Sequence, residues 1–355
     1  MTAGQHPNPS TRPSHFVVLL IATFALFASA LLASMVGSVD IPLSDSIAIV
    51  LANVGIQTGN PIQSHAHILV DIRIPRVVAA ATTGMCLACA GVLYQGVLRN
   101  PLADPFVIGA SGGAALGALL GMLIAANRIL PAEFAITPTL SLIGALLSVW
   151  LAYSLSRSRG FTRISSLLLA GFAIGSFTGS LSALLIFINN SMRLRLVQTY
   201  TWLLGGVSTN DWITTISTFS LAIITIICSL LIAIHLNALS LGNNSARRLG
   251  VDVEKVRLVA ILLASMLTGL AVWLSGIVAL VGLVIPHSMR MLVGPDHRIL
   301  IPTSALVGST FVVITDMVAR SAFSPAEIPV GIITSLIGIP VFVLLIRKNL
   351  HQYDF

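Results

Sequence analysis

Ten apolar runs, most of them about 20 residues long, are spread along this 355-residue sequence, and that recurring length limits the fold more than any other feature. A helix needs roughly 20 apolar residues to cross a hydrocarbon core about 30 Å thick. The runs lie at 16–36, 77–97, 106–126, 138–156, 165–188, 213–234, 258–275, 277–293, 302–322 and 330–346. Only 9% of the residues are charged, whereas a soluble domain carries about a quarter. A soluble fold of this composition would lack a surface. The expected fold is therefore all-α: a polytopic membrane protein with about ten transmembrane helices. Gly276, Gly282 and Pro286 interrupt the eighth run, which predicts a short or broken helix. No small-residue cleavage site follows the first run, so it reads as an uncleaved span.

The net charge of +7 does not point to nucleic acid, because the basic residues are scattered between apolar runs and form no stripe. They do orient the chain. With ten spans and a cytoplasmic N-terminus, 13 of the 19 Lys and Arg face the cytoplasm and six face outward, as the positive-inside rule requires. This divides the chain into a cytoplasmic tail at 1–15, a ten-span domain at 16–346 and a cytoplasmic tail at 347–355. Cys86, Cys89 and Cys228 all lie inside apolar runs, so neither a disulfide framework nor a redox pair is implied. Glycines recur every fourth residue at Gly109, Gly113, Gly117 and Gly121, and again at Gly171, Gly175 and Gly179. Such ladders let helices approach closely in lipid.

Three segments carry denser information. Residues 73–115 begin with Arg73 and Arg76 around Pro75, expected to hold an extended entry to the second span. The same segment contains Asn100-Pro101 and Asp104-Pro105, expected to form a sharp turn. Residues 242–257 are polar and suit one or two short helices around Gly250, longer than a plain turn needs. Asp316 and Arg320 are spaced to pair on one helix, and Glu327 precedes Pro329. His65 and His67 share an outer loop, where solvent exposure is expected rather than metal ligation. Buried carboxylates are expected to be missing, which argues against an ion-gradient relay. No glycine precedes either lysine, so there is no P-loop.

Together RIPR, GVLYQGVLRNPLADP with GASGGA, WLLGGVS, LGVDVEKVR, GLVIPHSMR with GPDHR, and AEIPVGIITSLIGIP resemble the FecCD-type permeases of iron-siderophore, heme and cobalamin ABC importers, the type II importers. The resemblance runs from about residue 40 to 346. It implies a permease subunit of the inner membrane that is not itself an enzyme and holds no cofactor or metal. It also implies a second permease copy, two copies of an ATP-binding subunit, and a periplasmic or lipid-anchored substrate-binding protein. Arg73, Arg76 and Arg320 match arginines that receive the binding protein. Ala246, Leu249, Gly250 and Val251, in a coupling loop at 242–257, match the contact with the ATPase. Ser165 and Ser166 match the gate, with the pathway lined from Gly171 through Gly175 toward Leu185. The expected cargo is an iron chelate, a ferric siderophore or heme. The alternatives are cobalamin with the same machinery, or a secondary transporter driven by an ion gradient.

Overall fold

The computed structural model describes residues 14–37, 41–53, 63–101, 103–126, 133–158, 161–162, 164–190, 196–207, 212–324 and 326–349. The two tails lie largely outside these residues, as do Arg193, Arg195 and Ser208. Helix α1 spans His15–Met35, α2 Leu43–Asn53 and α3 Gln63–His67. A π-helical stretch, Ile68–Arg73, joins α3 to α4, Ile74–Leu98. Then come α5, Ala110–Ala126, and α6, Glu133–Ser156. A two-residue strand pair, Arg157–Ser158 against Phe161–Thr162, leads into α7, Ile164–Ile188. The rest is α8 Leu196–Leu203, α9 Trp212–Leu231, α10 Ala233–Ser240, α11 Asn243–Arg248, α12 Val253–Ser275, α13 Val281–Val293, α14 His297–Ser321 and α15 Val330–Asn349.

Seven of these helices are long and apolar enough to cross a bilayer, and Ala110–Ala125, Val281–Val293 and Val330–Leu344 are shorter apolar helices. Together they coincide with the ten apolar runs. The irregular eighth run becomes the 13-residue α13, with Pro286 inside it.

Helix α4 is the core of the bundle. Nearly every residue from Val77 to Leu98 is buried, with α14 and α12 packed along it and α13, α9 and α10 touching it. Its sequence explains why. Ala79, Ala80, Thr82, Thr83, Gly84, Cys86, Ala88, Cys89, Ala90 and Gly91 keep the helix thin on every side, and thin helices let neighbours approach closely in lipid. Cys86 and Cys89 are part of this packing. Gly84 and Gly308 back onto each other's backbone where α4 crosses α14. The α5 ladder works the same way against α6: a Cβ on Gly121 would lie 2.6 Å from the Thr137 Cα.

Two sequence expectations need correction. The chain does not enter α4 in an extended conformation at Pro75. Ile74 is helical (φ −62°, ψ −47°), and helix runs from Gln63 to Leu98 through the π stretch. Pro75 lies inside this continuous helix, at the junction where the π stretch gives way to α4. The seventh span begins five residues earlier than expected, at Val253, with the Asp252 side chain accepting from Lys255 N as an N-cap. Arg257 is thereby carried into the bundle, where it is buried and pairs with Glu254 at 2.6 Å. The sixth span, expected at 213–234, is α9, and a single turn residue, Ile232 (φ −93°, ψ 0°), sets it off from α10.

Candidate functional site

Two polar centres lie at opposite ends of the α4–α14 pair. The first gathers Arg73, Arg76, Asp316, Arg320 and Glu327. Helix α1 ends at Met35, and its last carbonyls have no partner within the helix. Arg73 Nη1 donates to the carbonyls of Ser34 (3.1 Å) and Met35 (2.7 Å), and Arg320 Nη2 donates to that of Ala33 (2.9 Å). Two cations thus cap the negative end of the α1 dipole. Arg73 is only 4% exposed, so it does not stand free at the mouth as the sequence suggested.

Asp316 is 1% exposed and lies between two guanidinium groups. Arg76 Nε and Nη2 donate to its Oδ1 at 3.1 and 3.0 Å, and Arg320 Nε donates to Oδ2 at 3.0 Å. The i, i+4 pair expected from sequence is present, and Arg76, 240 residues away, joins it. A buried carboxylate therefore exists where none was expected. It persists in apolar surroundings because each oxygen faces a cation. Arg76 also donates to Glu327, Nη1 to Oε1 at 3.2 Å and Nη2 to Oε2 at 2.9 Å. Glu327 is half exposed, so Arg76 is the arginine of the three that reaches the rim.

The second centre surrounds α11, the short helix inside the expected coupling loop. Gly242 (φ +102°) opens it and Gly250 (φ +81°) closes it, both in the left-handed region that glycine tolerates at little cost. Gly250 N–H donates to the Arg247 carbonyl at 3.0 Å and Val251 N–H to the Ala246 carbonyl at 3.0 Å. Ala246 is buried and anchors the helix, while Leu249 stands 65% exposed at its end. An exposed leucine on a capped helix is a ready hydrophobic contact.

Beside α11, Asp296 caps the N-terminus of α14 by accepting from Arg298 N at 3.0 Å, and it also accepts from Asn237 Nδ2 at 2.6 Å. Burial works against the charged form, but those two hydrogen bonds and the charges of Arg298 and His297 outweigh it. Its pKa lies below the ordinary carboxylate range. Sequence reading missed Asn237 and Asp296. The GPDHR motif is their only local sign, and nothing local links it to residue 237.

The gate and pathway residues separate. Ser165 is exposed and Ser166 half-buried in the first turn of α7. Gly171 and Gly175 do not face open space: Gly171 backs onto Ile108, and Gly175 approaches the Gly109 Cα. They are packing glycines, as the four-residue ladder allows. The open face of α7 carries Leu169, Phe172, Phe177, Leu184 and Phe187, with Ser176, Gly179 and Ser180 between them. His65 and His67 make separate pairs, to Asp45 (2.8 Å) and Asp71 (2.7 Å). Among the described residues no group of three metal-ligating side chains occurs.

Asp104, in the turn between α4 and α5, is buried and accepts from Phe106 N at 2.9 Å. Burial pushes its carboxyl up to about 6, against the pull of that N–H. The folded chain therefore holds this proton more tightly than the unfolded chain. Stability contributed by the protonated form is present at low pH and is lost as pH rises from the unfolded value through about 6. Asp104→Asn keeps the acceptor and removes the charge. It is expected to raise the melting temperature at pH 8, with a gain of up to roughly 3 kcal/mol at 1.36 kcal/mol per pKa unit, and to have no effect near pH 4. Equal melting curves at pH 8 would exclude a destabilising carboxylate there.

Comparison with known proteins identifies relatives over almost the whole chain. The profile of the FecCD transport family matches residues 23–348. An ABC transporter permease protein of Bacillus subtilis, YvrB, is 36% identical over 340 residues, covering 95% of each chain. The hemin transport system permease protein HmuU of Yersinia pestis is 40% identical over 288 residues, covering 81% of this chain and 85% of its own. Among solved structures, an ABC transporter assigned to the metal-chelate type, in an inward-facing conformation, superposes with a TM-score of 0.78 at 31% identity. The match covers 94% of this chain and 99% of that one.

Proposed function

The chain belongs to the FecCD transport family and is a multi-pass membrane permease, and on that premise we propose that it moves an iron chelate, heme or a ferric siderophore, inward through a bacterial cytoplasmic membrane. ATP hydrolysed by a partner subunit drives the step. A hemin permease at 40% identity and a metal-chelate type transporter of the same fold support this choice of cargo.

The observation that carries the mechanism is the arrangement of α11. A capped, glycine-bounded helix presents Leu249 outward while Ala246 anchors it to the bundle. That shape suits a groove on an ATPase subunit, so closure of the ATPase pair would push α11. At the other end, an acidic group of a binding protein would take the place of the half-exposed Glu327 on Arg76, with Arg73 and Arg320 holding α1 in place behind it. Both termini then lie in the cytoplasm. A second copy of the chain completes the pathway, and the open face of α7 beyond Ser165 and Ser166 contributes its wall. Packed helices with two discrete arrangements are the usual basis of such switching.

The test is uptake of hemin and of ferric hydroxamate into proteoliposomes holding the permease, its ATPase and its binding protein. Uptake should require ATP. Leu249→Asp should lower it roughly tenfold or more, since a charge in an apolar contact costs over 1.4 kcal/mol, a factor of ten. Uptake of either chelate on a proton gradient without ATP would overturn the proposal.

A further inference from the structure

The coupling helix and the arginine rim lie at opposite ends of the molecule, and one hydrogen-bonded joint ties the first to the helices that carry the second. Helix α10 precedes α11 and is set off from α9 by the break at Ile232. It packs against α4, α14 and α11. From α10, Asn237 reaches the first turn of α14. Its Nδ2 donates to Asp296 Oδ1 at 2.6 Å. A carboxylate oxygen flanked by donors only accepts, so this bond fixes the orientation of the amide. Asn237 Oδ1 is then the acceptor for His297 N (2.9 Å) and for His297 Nδ1 (2.7 Å). The proton of the imidazole therefore sits on Nδ1, and Nε2 faces α4, where a Cβ on Gly96 would lie 2.5 Å from it.

One side chain of α10 thus holds the start of α14 by three bonds, and the histidine it orients fills the space over the end of α4. Those two helices are themselves joined along their length. Ser309 Oγ donates to the Ala81 carbonyl at 2.8 Å, Cys89 Sγ to the Ile301 carbonyl at 3.7 Å, and Gly84 and Gly308 meet backbone to backbone. At the far end, Arg76 of α4 and Asp316 of α14 form the buried ion pair. The distance from Gly96 to Arg76 along α4 is about 30 Å at 1.5 Å per residue.

We propose that Asn237 is the positioning residue that couples α11 to the α4–α14 pair, so that a push on the coupling helix is delivered as a unit movement of those helices to the arginine rim, and occupancy of the rim is delivered back. This rests on the transport reading above. Interior packing resists gradual deformation, so a pair of helices pinned at both ends moves as one body. Without the joint, only the apolar packing of α10 would tie it to α14, and packing without directional bonds transmits a push less faithfully.

The test uses the full permease with its ATPase in proteoliposomes, with ATP hydrolysis measured with and without the binding protein. Asn237→Leu keeps the side chain's shape and removes the amide. Asn237→Ala is measured beside it, so that a folding failure of one does not decide the result. In either, the ratio of stimulated to unstimulated hydrolysis is expected to fall roughly fivefold or more, the usual scale of coupling between sites. Ile234→Ala, on the exposed side of α10, leaves the joint intact and should keep the stimulation, which general damage to this helix would not allow. Stimulation that survives both Asn237 variants overturns the proposal, as does equal loss in Ile234→Ala. If the unsubstituted complex shows no stimulation, the transport reading itself fails, a result distinct from a working complex that ignores Asn237.

Discussion

Replacing Asp316 with alanine is expected to cost about 3–5 kcal/mol of stability, the usual penalty for stripping one partner from a buried ion pair. Asp316 is the shared acceptor of Arg76 and Arg320, with one carboxylate oxygen turned to each. Its loss leaves Arg320 facing only the Ala33 carbonyl, in surroundings nearly closed to water. Glu327 still pairs with Arg76, but from the half-exposed side, and it does not reach Arg320. The purified variant in detergent should unfold at a much lower temperature than the parent and give little monodisperse protein. Asp316→Asn should fall between the two, because it keeps an acceptor without the charge. An unchanged melting temperature in Asp316→Ala would mean that the arginines find other partners and that the network is not structural.

Gly84→Val is expected to be comparably harmful for a different reason. A Cβ at Gly84 would lie 2.5 Å from the Gly308 carbonyl carbon and 2.8 Å from the Ser309 Cα. Those are backbone atoms of a packed helix and have no rotamer to change. The added atoms would force α4 away from α14 and break the Ser309–Ala81 hydrogen bond nearby. Overpacking usually costs about 1–3 kcal/mol, and a clash with backbone belongs at the upper end. Gly179→Ala on α7 provides the contrast, since nothing lies within 4 Å of a Cβ there. It should be nearly neutral in the same melting experiment. If the two variants melted alike, contact at the α4–α14 crossing would not control stability.

Much of the architecture was legible because lipid imposes it. The run lengths specify spans, and the thinness of α4 is written in its alanines, glycines and small polar residues. The α11 helix was legible too, since Gly242 and Gly250 bracket a polar stretch where a turn alone would have been shorter. Other parts were not. The four-residue spacing of Gly171 and Gly175 marked them as close-contact positions, but spacing does not say whether a helix or open space receives them. Arg73 and Arg320 were recognisable as special, yet their partners are carbonyls of α1, 38 to 39 and 287 residues away.

The sequence by itself determined a helical membrane bundle of about ten spans and the place of the short helix α11 between two of them. Those follow from local quantities: run length, glycine spacing and the charge of each loop. Only the tertiary structure decided what the charges and amides do. It buried Asp316 between two arginines, set Arg73 and Arg320 on the last carbonyls of α1, and brought Asn237 onto Asp296 and His297. The physical reason is that a hydrogen bond or ion pair depends on distance in space. The chain must fold before residues 59 or 240 apart become neighbours.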